Sequence, residues 1–408
     1  MNDESKSYFK FSEVLVIVLI TCAFSVFAGI SYGKMKYSDT INVNSLNSDK
    51  EDDNLNKFIK EYKYIISNFY DKEKIDEKKL LKLALHSILD ELGIEDSYST
   101  YMDEDKYTQL NINLNGEYEG LGIGIYKEEK DGYIIVASIM DNSPAKDSDI
   151  KEGDIILTID GIDTKTMNNN DFSNYVLHSD EKVFLLKVKS NGEEKNIKLE
   201  KRKVEIKSVE SKIIEKSDKK IGYISMSIFA SNSYNQFKNN LSELEKNNID
   251  ALIIDLRNNN GGHLTEVTKI LNLFLKKKRV IYQLQKDNNK VKYYSSGSMD
   301  KEYPIVFIGN EYTASASEVF IISLKENLNA KLVGQKTYGK GTVQEMVDLG
   351  DGDQYKITTK KWLSPKGVWI NDTKGIEPDV EVKNIMDDAN KMDIQLEESI
   401  KVALEQLK

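Results

Sequence analysis

Three short segments of this 408-residue chain set reactive side chains among small residues. The first, Asn310-Glu311-Tyr312-Thr313-Ala314-Ser315-Ala316-Ser317-Glu318, follows the apolar run PIVFIG and leads into a helical stretch. Small residues at such a strand-to-helix turn can raise a hydroxyl nucleophile and leave the amides beside it exposed. The Ser315-to-Glu318 spacing is equally that of a helix capping box, which would make the serine structural. In the second segment, Gly339-Lys340-Gly341-Thr342-Val343-Gln344, glycines allow close approach to the lysine from either side. If the segment is extended, Gln344 shares a face with Lys340. A free lysine titrates at about 10.4 and becomes a base near neutrality only if burial lowers that value; otherwise Lys340 is a solvated turn residue. The third segment, Asp255-Leu256-Arg257-Asn258-Asn259-Asn260-Gly261-Gly262, empties the apolar run ALIID into an Asn/Gly loop ahead of a helix. Amides there suit developing negative charge, while Arg257 fits a structural ion pair. A hydroxyl, an uncharged amine to take its proton and amides to hold an oxyanion are the parts of acyl transfer.

Composition removes the main competitors. The three histidines, at 86, 178 and 263, form no metal-binding pair, and the single cysteine excludes disulfide frameworks and Cys-rich metal sites. His263, directly after Gly262, is the best placed histidine for a rival mechanism. No metal or cofactor is expected. Lys and Arg number 57 against 67 Asp and Glu, and this net charge of −10 argues against nucleic acid as the partner.

Several elements must carry these segments. After a short tail (1–13), Val14 to Gly33 is an uncharged apolar run bracketed by Glu13 and Lys34. As a helix it would cover roughly 30 Å, so an uncleaved transmembrane anchor over 14–33 is expected. The rivals are a signal peptide cleaved near Val26-Phe27-Ala28 and a lipoprotein at Cys22. Residues 34–54 read as a polar linker, and 55–115 as a helical segment of two helices broken near Asp71. Residues 116–203 hold short β-type runs (YIIVASI, DIILTID, VFLLKVK) separated by turn residues. In 204–385, strand-like runs alternate with helical stretches at 234–247, 264–276 and 316–328, which predicts an α/β core. Residues 386–408 are expected to form an amphipathic helix with Met392, Leu396, Ile400, Ala403 and Leu407 on one face. The fold expected is therefore α/β and α+β multidomain, with a β-rich module placed ahead of an α/β core.

Within that module, Gly120-Leu121-Gly122-Ile123 opens a strand with amides free to form an anion nest, beside which an extended peptide can add as a strand. Downstream come Ser143-Pro144-Ala145, Ile150-Lys151-Glu152-Gly153-Asp154-Ile155-Ile156 and Asp160-Gly161. Together they resemble the PDZ domains of bacterial proteases, with Asp149 where that pattern has Gly. The resemblance implies capture of a free C-terminus by the amides of Leu121, Gly122 and Ile123.

The three reactive segments, in this order, resemble the carboxy-terminal processing peptidases, or tail-specific proteases. DLRNNNGG, NEYTASASE and GKGTVQ meet that family's pattern, as does the interval of 25 from Ser315 to Lys340. The resemblance runs from about Leu55 to the C-terminus, through Tyr98-Ser99-Thr100-Tyr101, Trp362-Leu363-Ser364-Pro365 and Gly375-Ile376-Glu377-Pro378-Asp379. It implies a serine endopeptidase with Ser315 as nucleophile, Lys340 as general base and Gln344 orienting Lys340. The oxyanion hole would comprise Ala316 with Gly261 or Gly262. The implied partners are proteins or peptides with free C-termini, and the membrane through the N-terminal helix. The catalytic part would lie outside the cytoplasm, secreted if that helix is cleaved. Family members often dimerise through terminal helices, so a homodimer fits, as does a monomer with the last helix packed on its own core. The competing class is an inactive PDZ scaffold on a protease-like fold. Three departures, Asn260 for Pro, Thr313 for Ser and Ser97 for Pro, bear on loop rigidity and remove no reacting atom.

Overall fold

The computed structural model describes residues 53–128, 132–348, 353–383, 386–387 and 392–408. The anchor expected over Val14–Gly33 and most of the linker lie outside them. Among the described residues no helix is long and apolar enough to cross a membrane. The described residues divide into two compact units, one holding those up to 101 with 345–348 and 353–357, the other those of 102–344 and 358–408.

The first unit contains α1 (Asp53–Asn68) and α2 (Glu77–Asp96). Asp76 starts α2 by accepting the Lys79 N–H at 3.0 Å, so the break expected near Asp71 is completed by a capping residue. The helix ends on Ser97 at φ 52°, a left-handed conformation closed to proline, which explains why serine replaces it here. The apolar periodicity of this region does not build an internal core. Ile65, Leu83 and Leu92 are all more than half exposed.

The second unit begins with α3 (Glu104–Asn115), capped by Asp103 and stopped by Gly116 at φ 72°. The helical lead expected over 55–115 is thus shared between the two units. Strand β1 (Glu117–Gly120) then leads into a five-strand path: β2 (Ile123–Tyr126), β3 (Ile134–Ile139), β4 (Ile155–Ile159), β5 (Val183–Ser190) and β6 (Glu193–Glu200). Helix α4 (Asn169–Leu177) packs Phe172 and Val176 into this core. In β5, Phe184, Leu186 and Val188 are buried while Val183 and Leu185 are exposed, the period-two alternation of a half-covered sheet. Strand β6 reads EEKNIKLE because only Ile197 and Leu199 face inward, which is why its sequence hid it. Asp149, which stands where the resembling pattern has Gly, has no positive φ; in this loop that geometry falls on Gly153, at φ 85°. Strand β7 (Arg202–Glu205) pairs antiparallel with β1 and brackets the module.

The longer strands that follow, with one short edge strand, are β8 (Val209–Lys216), β9 (Lys219–Met226), β10 (Ala251–Asp255), β11 (Val280–Lys286), β12 (Asn289–Tyr294), β13 (Ile305–Gly309), β14 (Lys331–Gly334), β15 (Thr342–Asp348), β16 (Gln354–Leu363) and β17 (Val380–Glu381). The main sheet runs β8-β9-β10-β13-β14-β17, parallel except for the β8–β9 hairpin. Every residue of β10 and β13 is buried, as expected for parallel strands covered on both faces. One cover comes from α5 (Ser233–Lys246), α6 (Leu264–Leu271) and α7 (Ala316–Leu328), whose Phe237 and Phe320 join a cluster with Phe229, Phe274 and Phe307. Helix α6 is shorter than the 264–276 expected. The Ser295 hydroxyl donates to the Leu275 carbonyl at 2.6 Å, and Gly297 sits where any Cβ would overlap the Asn272 and Leu275 carbonyls.

The other cover is α8 (Ile394–Glu405), with Ile400 and Ala403 against Ile253, Val306, Ile308 and Val333. It is also shorter than the 386–408 expected. Asp393 caps it, so Met392 precedes it and Leu407 follows it, while Leu396, Ile400 and Ala403 keep the anticipated face. Beside the main sheet, β11 pairs with β12 and with Lys361–Leu363 of β16.

Candidate active site

The loops after β10 and β13 meet at the carboxyl ends of parallel strands, where open α/β sheets place their binding crevices. Side-chain amides stitch the two loops together. Asn310 Oδ1 accepts the Asn258 N–H at 3.0 Å, and Asn310 Nδ2 returns a bond to Asn258 Oδ1 at 2.9 Å. Buried Asn259 donates to the Met226 carbonyl and accepts the Gly261 N–H, both at 2.9 Å, while its own carbonyl takes the Ala314 N–H and the Ser317 hydroxyl. The Thr313 hydroxyl donates to the Leu256 carbonyl at 2.8 Å and accepts the Asn310 N–H at 3.0 Å. Thr313 therefore keeps the hydroxyl of the serine it replaces, and exposed Asn260 is held between residues that are themselves tied down.

Ser315 stands at the head of α7 with φ 56° and ψ −115°, a combination that strains any residue with a Cβ. Its neighbours Ala314, Ala316, Ser317 and Glu318 are buried and Ser315 is not. Gly261, at φ 105°, is pressed against this turn: a Cβ there would lie 2.9 Å from Ser315 Cβ and 3.0 Å from the Ala316 nitrogen. Of the two glycines expected at an oxyanion, Gly261 commits its N–H to Asn259. The Gly261 carbonyl and the His263 N–H both bond Phe229, at 2.8 and 2.7 Å, so the Gly262 N–H between them points to the opposite side. Ala316 heads α7, and its N–H is among those that a helix's first turn leaves without an intrahelical acceptor.

Glu318 joins the serine segment to the lysine segment. It is fully buried and accepts four bonds: Oε2 takes the N–H of Ser315 and of Lys340, each at 2.9 Å, and Oε1 takes the Thr337 hydroxyl at 2.6 Å and the Gly339 N–H at 2.7 Å. Two nitrogens each 2.9 Å from one oxygen are no more than twice that, 5.8 Å, apart, so the main chains of Ser315 and Lys340 are neighbours. Burial pushes the Glu318 carboxyl above the ordinary carboxylate range, and the four donors pull the other way. The sequence signal for Glu318 was the capping spacing; the structure adds a link across 22 residues of chain.

The lysine loop is further clamped by both tryptophans of the chain. Trp362 Nε1 donates to the Lys340 carbonyl at 2.8 Å and Trp369 Nε1 to the Gly341 carbonyl at 3.0 Å. A Cβ at Gly339 would come 2.7 Å from the Gly375 nitrogen, so the loop needs glycine for close approach as well as for its φ of 93°. Gln344 donates through Nε2 to the hydroxyls of Thr342 and Thr358, at 2.9 and 3.0 Å. Its side-chain carbonyl is left as the acceptor.

Arg257 has the structural role expected of it. It binds Asp255 and reaches Asp393, the cap of α8, and Gln395, so the loop after β10 is tied to the last helix. Those carboxylates outweigh the effect of burial and raise its pKa further. His263 caps α6, and its buried Nε2 has no hydrogen-bond partner, hence no link to Ser315. Among the described residues no His, Cys, Asp and Glu group could hold a metal ion.

In the β-module, the Leu121 carbonyl accepts the Ala145 N–H and the Gly122 carbonyl the Met140 N–H, both at 3.0 Å. Gly122, at φ 74°, abuts Ser143 so closely that a Cβ would overlap it, which accounts for glycine at this position. Leu121, Gly122 and Ile123 line a cavity of about 220 Å³ with Phe172 and Val176 of α4.

Known proteins resemble this chain along most of its length. Residues 220–382 match Peptidase family S41, 109–189 match the PDZ domain, and 19–106 match the N-terminal domain of the activating protease CtpB. The chain is 36% identical over 388 residues to the carboxy-terminal processing protease CtpB of Bacillus subtilis, covering 92% of this chain and 78% of that protein. It is 33% identical over 377 residues to a probable CtpA-like serine protease of Staphylococcus aureus, covering 91% and 72% respectively. Among solved structures, the photosystem II D1 C-terminal processing protease aligns with 24% identity and a TM-score of 0.46, over 80% of this chain and 92% of that one.

Proposed function

This chain belongs to the carboxy-terminal processing peptidases, serine-type enzymes of Peptidase family S41, and from that premise we propose the roles of its residues and the way substrate reaches them. Ser315 Oγ attacks the scissile carbonyl while neutral Lys340 Nζ takes its proton. The resulting oxyanion is met by the N–H groups of Ala316 and Gly262. Gly261 is the close-approach residue that lets the second amide reach, because its own N–H is spent on Asn259. Collapse of the tetrahedral intermediate breaks the C–N bond, and the leaving amine takes the proton from Lys340. Water then repeats the sequence on the acyl-enzyme, with Lys340 again as base. Gln344 orients Lys340 through its amide oxygen, since the threonine hydroxyls hold its NH₂. The observation carrying this reading is the Glu318 carboxylate, one oxygen of which holds the main chains of both Ser315 and Lys340.

The PDZ domain delivers the substrate's C-terminus, bound by the amides of Leu121, Gly122 and Ile123, so that cleavage falls near that end. The apolar run at 14–33 anchors the enzyme in the cell membrane with its catalytic part outside. A homodimer belongs to the same reading, supported by the exposed apolar side chains of α1 and α2.

The test is hydrolysis of casein, a loosely structured substrate, by the full chain. Ser315→Ala and Lys340→Ala are expected to abolish measurable cleavage, each by at least about a hundredfold. Equal turnover by wild type and Ser315→Ala would remove the dyad. A wild-type chain inert on every peptide substrate but binding free C-termini would favour the scaffold reading.

A further inference from the structure

Tyr118 reaches from β1 into the peptide-binding cavity of the PDZ domain, and nothing in the reading above uses it. Its ring lies over Gly120, where any Cβ would overlap it, and this fixes the side chain's direction. Its hydroxyl donates to Met140 Sδ at 3.4 Å. Met140 is also the residue whose N–H bonds the Gly122 carbonyl, so the hydroxyl sits at the nest end of a cavity of about 220 Å³ that Tyr118, Met140 and Gly122 share.

A thioether is a weak acceptor, so a half-buried phenol bonded to it has a donor that a stronger acceptor would claim. The hydroxyl keeps its proton at neutral pH: burial pushes it above the ordinary phenol range, and the facing Gly122 amide only partly opposes this.

We propose that Tyr118 is a ligand for the C-terminal carboxylate of the substrate, its hydroxyl leaving Met140 to donate to the anion held by the Leu121, Gly122 and Ile123 amides. The proposal rests on the reading that the PDZ domain binds free C-termini. A hydrogen bond from a neutral donor to a carboxylate is charge-assisted, so losing it is expected to weaken binding by about tenfold or more. The same hydroxyl gives a carboxamide end no such gain.

The test is fluorescence anisotropy of a labelled peptide ending in leucine, as the free acid and as the amide. Binding is measured on the full chain carrying Ser315→Ala to prevent cleavage. The parent should bind the acid more tightly than the amide. Adding Tyr118→Phe should weaken acid binding about tenfold and leave amide binding unchanged. Adding Met140→Leu, which keeps the wall but removes the sulfur, should leave acid binding equal or tighter. Acid binding undiminished or strengthened by Tyr118→Phe, with the parent's acid preference intact, would overturn the Tyr118 assignment alone. Equal losses in Tyr118→Phe and Met140→Leu would assign the effect to wall packing and overturn it too. A parent that binds neither peptide would overturn the C-terminus reading and the proposal with it.

Discussion

Replacing Glu318 by glutamine removes one charge and almost no volume, so it isolates the acceptor role of the buried carboxylate. All four donors it receives are accounted for: the N–H groups of Ser315, Lys340 and Gly339, and the Thr337 hydroxyl. A glutamine presents one oxygen and one NH₂. With the NH₂ at the Oε2 position, two main-chain donors face a donor. In the other flip only the Gly339 N–H does, because the Thr337 hydroxyl can turn to accept. The second flip is the cheaper one and still strands one buried N–H, at about 1–3 kcal/mol. The bonds to Ser315 and Lys340 fall from charge-assisted to neutral strength, about 1 kcal/mol each. The sum, roughly 3–5 kcal/mol, divides between stability and the placement of the two reacting residues. An error of about 1 Å in that placement costs about a hundredfold in rate. Casein or peptide turnover with a melting curve separates the two parts. We expect kcat down by about a hundredfold, with a melting temperature lower by a few degrees. A Glu318→Gln enzyme with wild-type kcat and wild-type melting would refute the idea that this carboxylate holds the nucleophile and base together.

Two further predictions follow from local geometry. Gly261→Ala would put a methyl 2.9 Å from Ser315 Cβ at a φ of 105°, moving the glycine loop off the oxyanion position; kcat should fall by about 10²–10³ in steady-state assays with KM little changed, and wild-type kcat would contradict it. Asp393 is pushed up by burial, but Arg257 and the helix amides outweigh this and lower its pKa, so the stability it gives is present above its unfolded value of about 3.9 and lost as pH falls through its lower folded value. Asp393→Asn should therefore be less stable than wild type in urea at pH 7, with the gap narrowing as pH falls below about 3.9; a gap independent of pH would refute this linkage.

The site was legible in unequal parts. The Gly- and Ser-rich segments singled out Ser315, Lys340 and the glycine loop as candidates because each needs unusual residue types in a local arrangement: a strained turn at Ser315, positive φ at Gly261 and Gly339, and small neighbours. What the capping spacing could not convey is that Glu318 also spans to Gly339 and Lys340, since a helix cap reads three residues while this carboxylate reaches 22. Nor could the paired glycines be told apart. Asn259, two residues away, takes the Gly261 N–H, and the bridge to Phe229 turns Gly262 the other way. Strands with a polar face, such as β6 and β8, were hidden because alternation is weak where few of their residues are buried. The end of α6 was set by a partner remote in sequence and the start of α8 by its cap Asp393, neither by the helix's own periodicity.

By itself the sequence set out the candidate chemistry: a hydroxyl, an amine and small-residue turns beside them, with a Gly-Leu-Gly-Ile segment opening a strand. These are consequences of local backbone sterics and side-chain type. The tertiary structure decided which of those groups share an acceptor, which amide remains free and where Tyr118 ends. Each of those outcomes depends on hydrogen-bond competition between segments that the chain brings together only when folded.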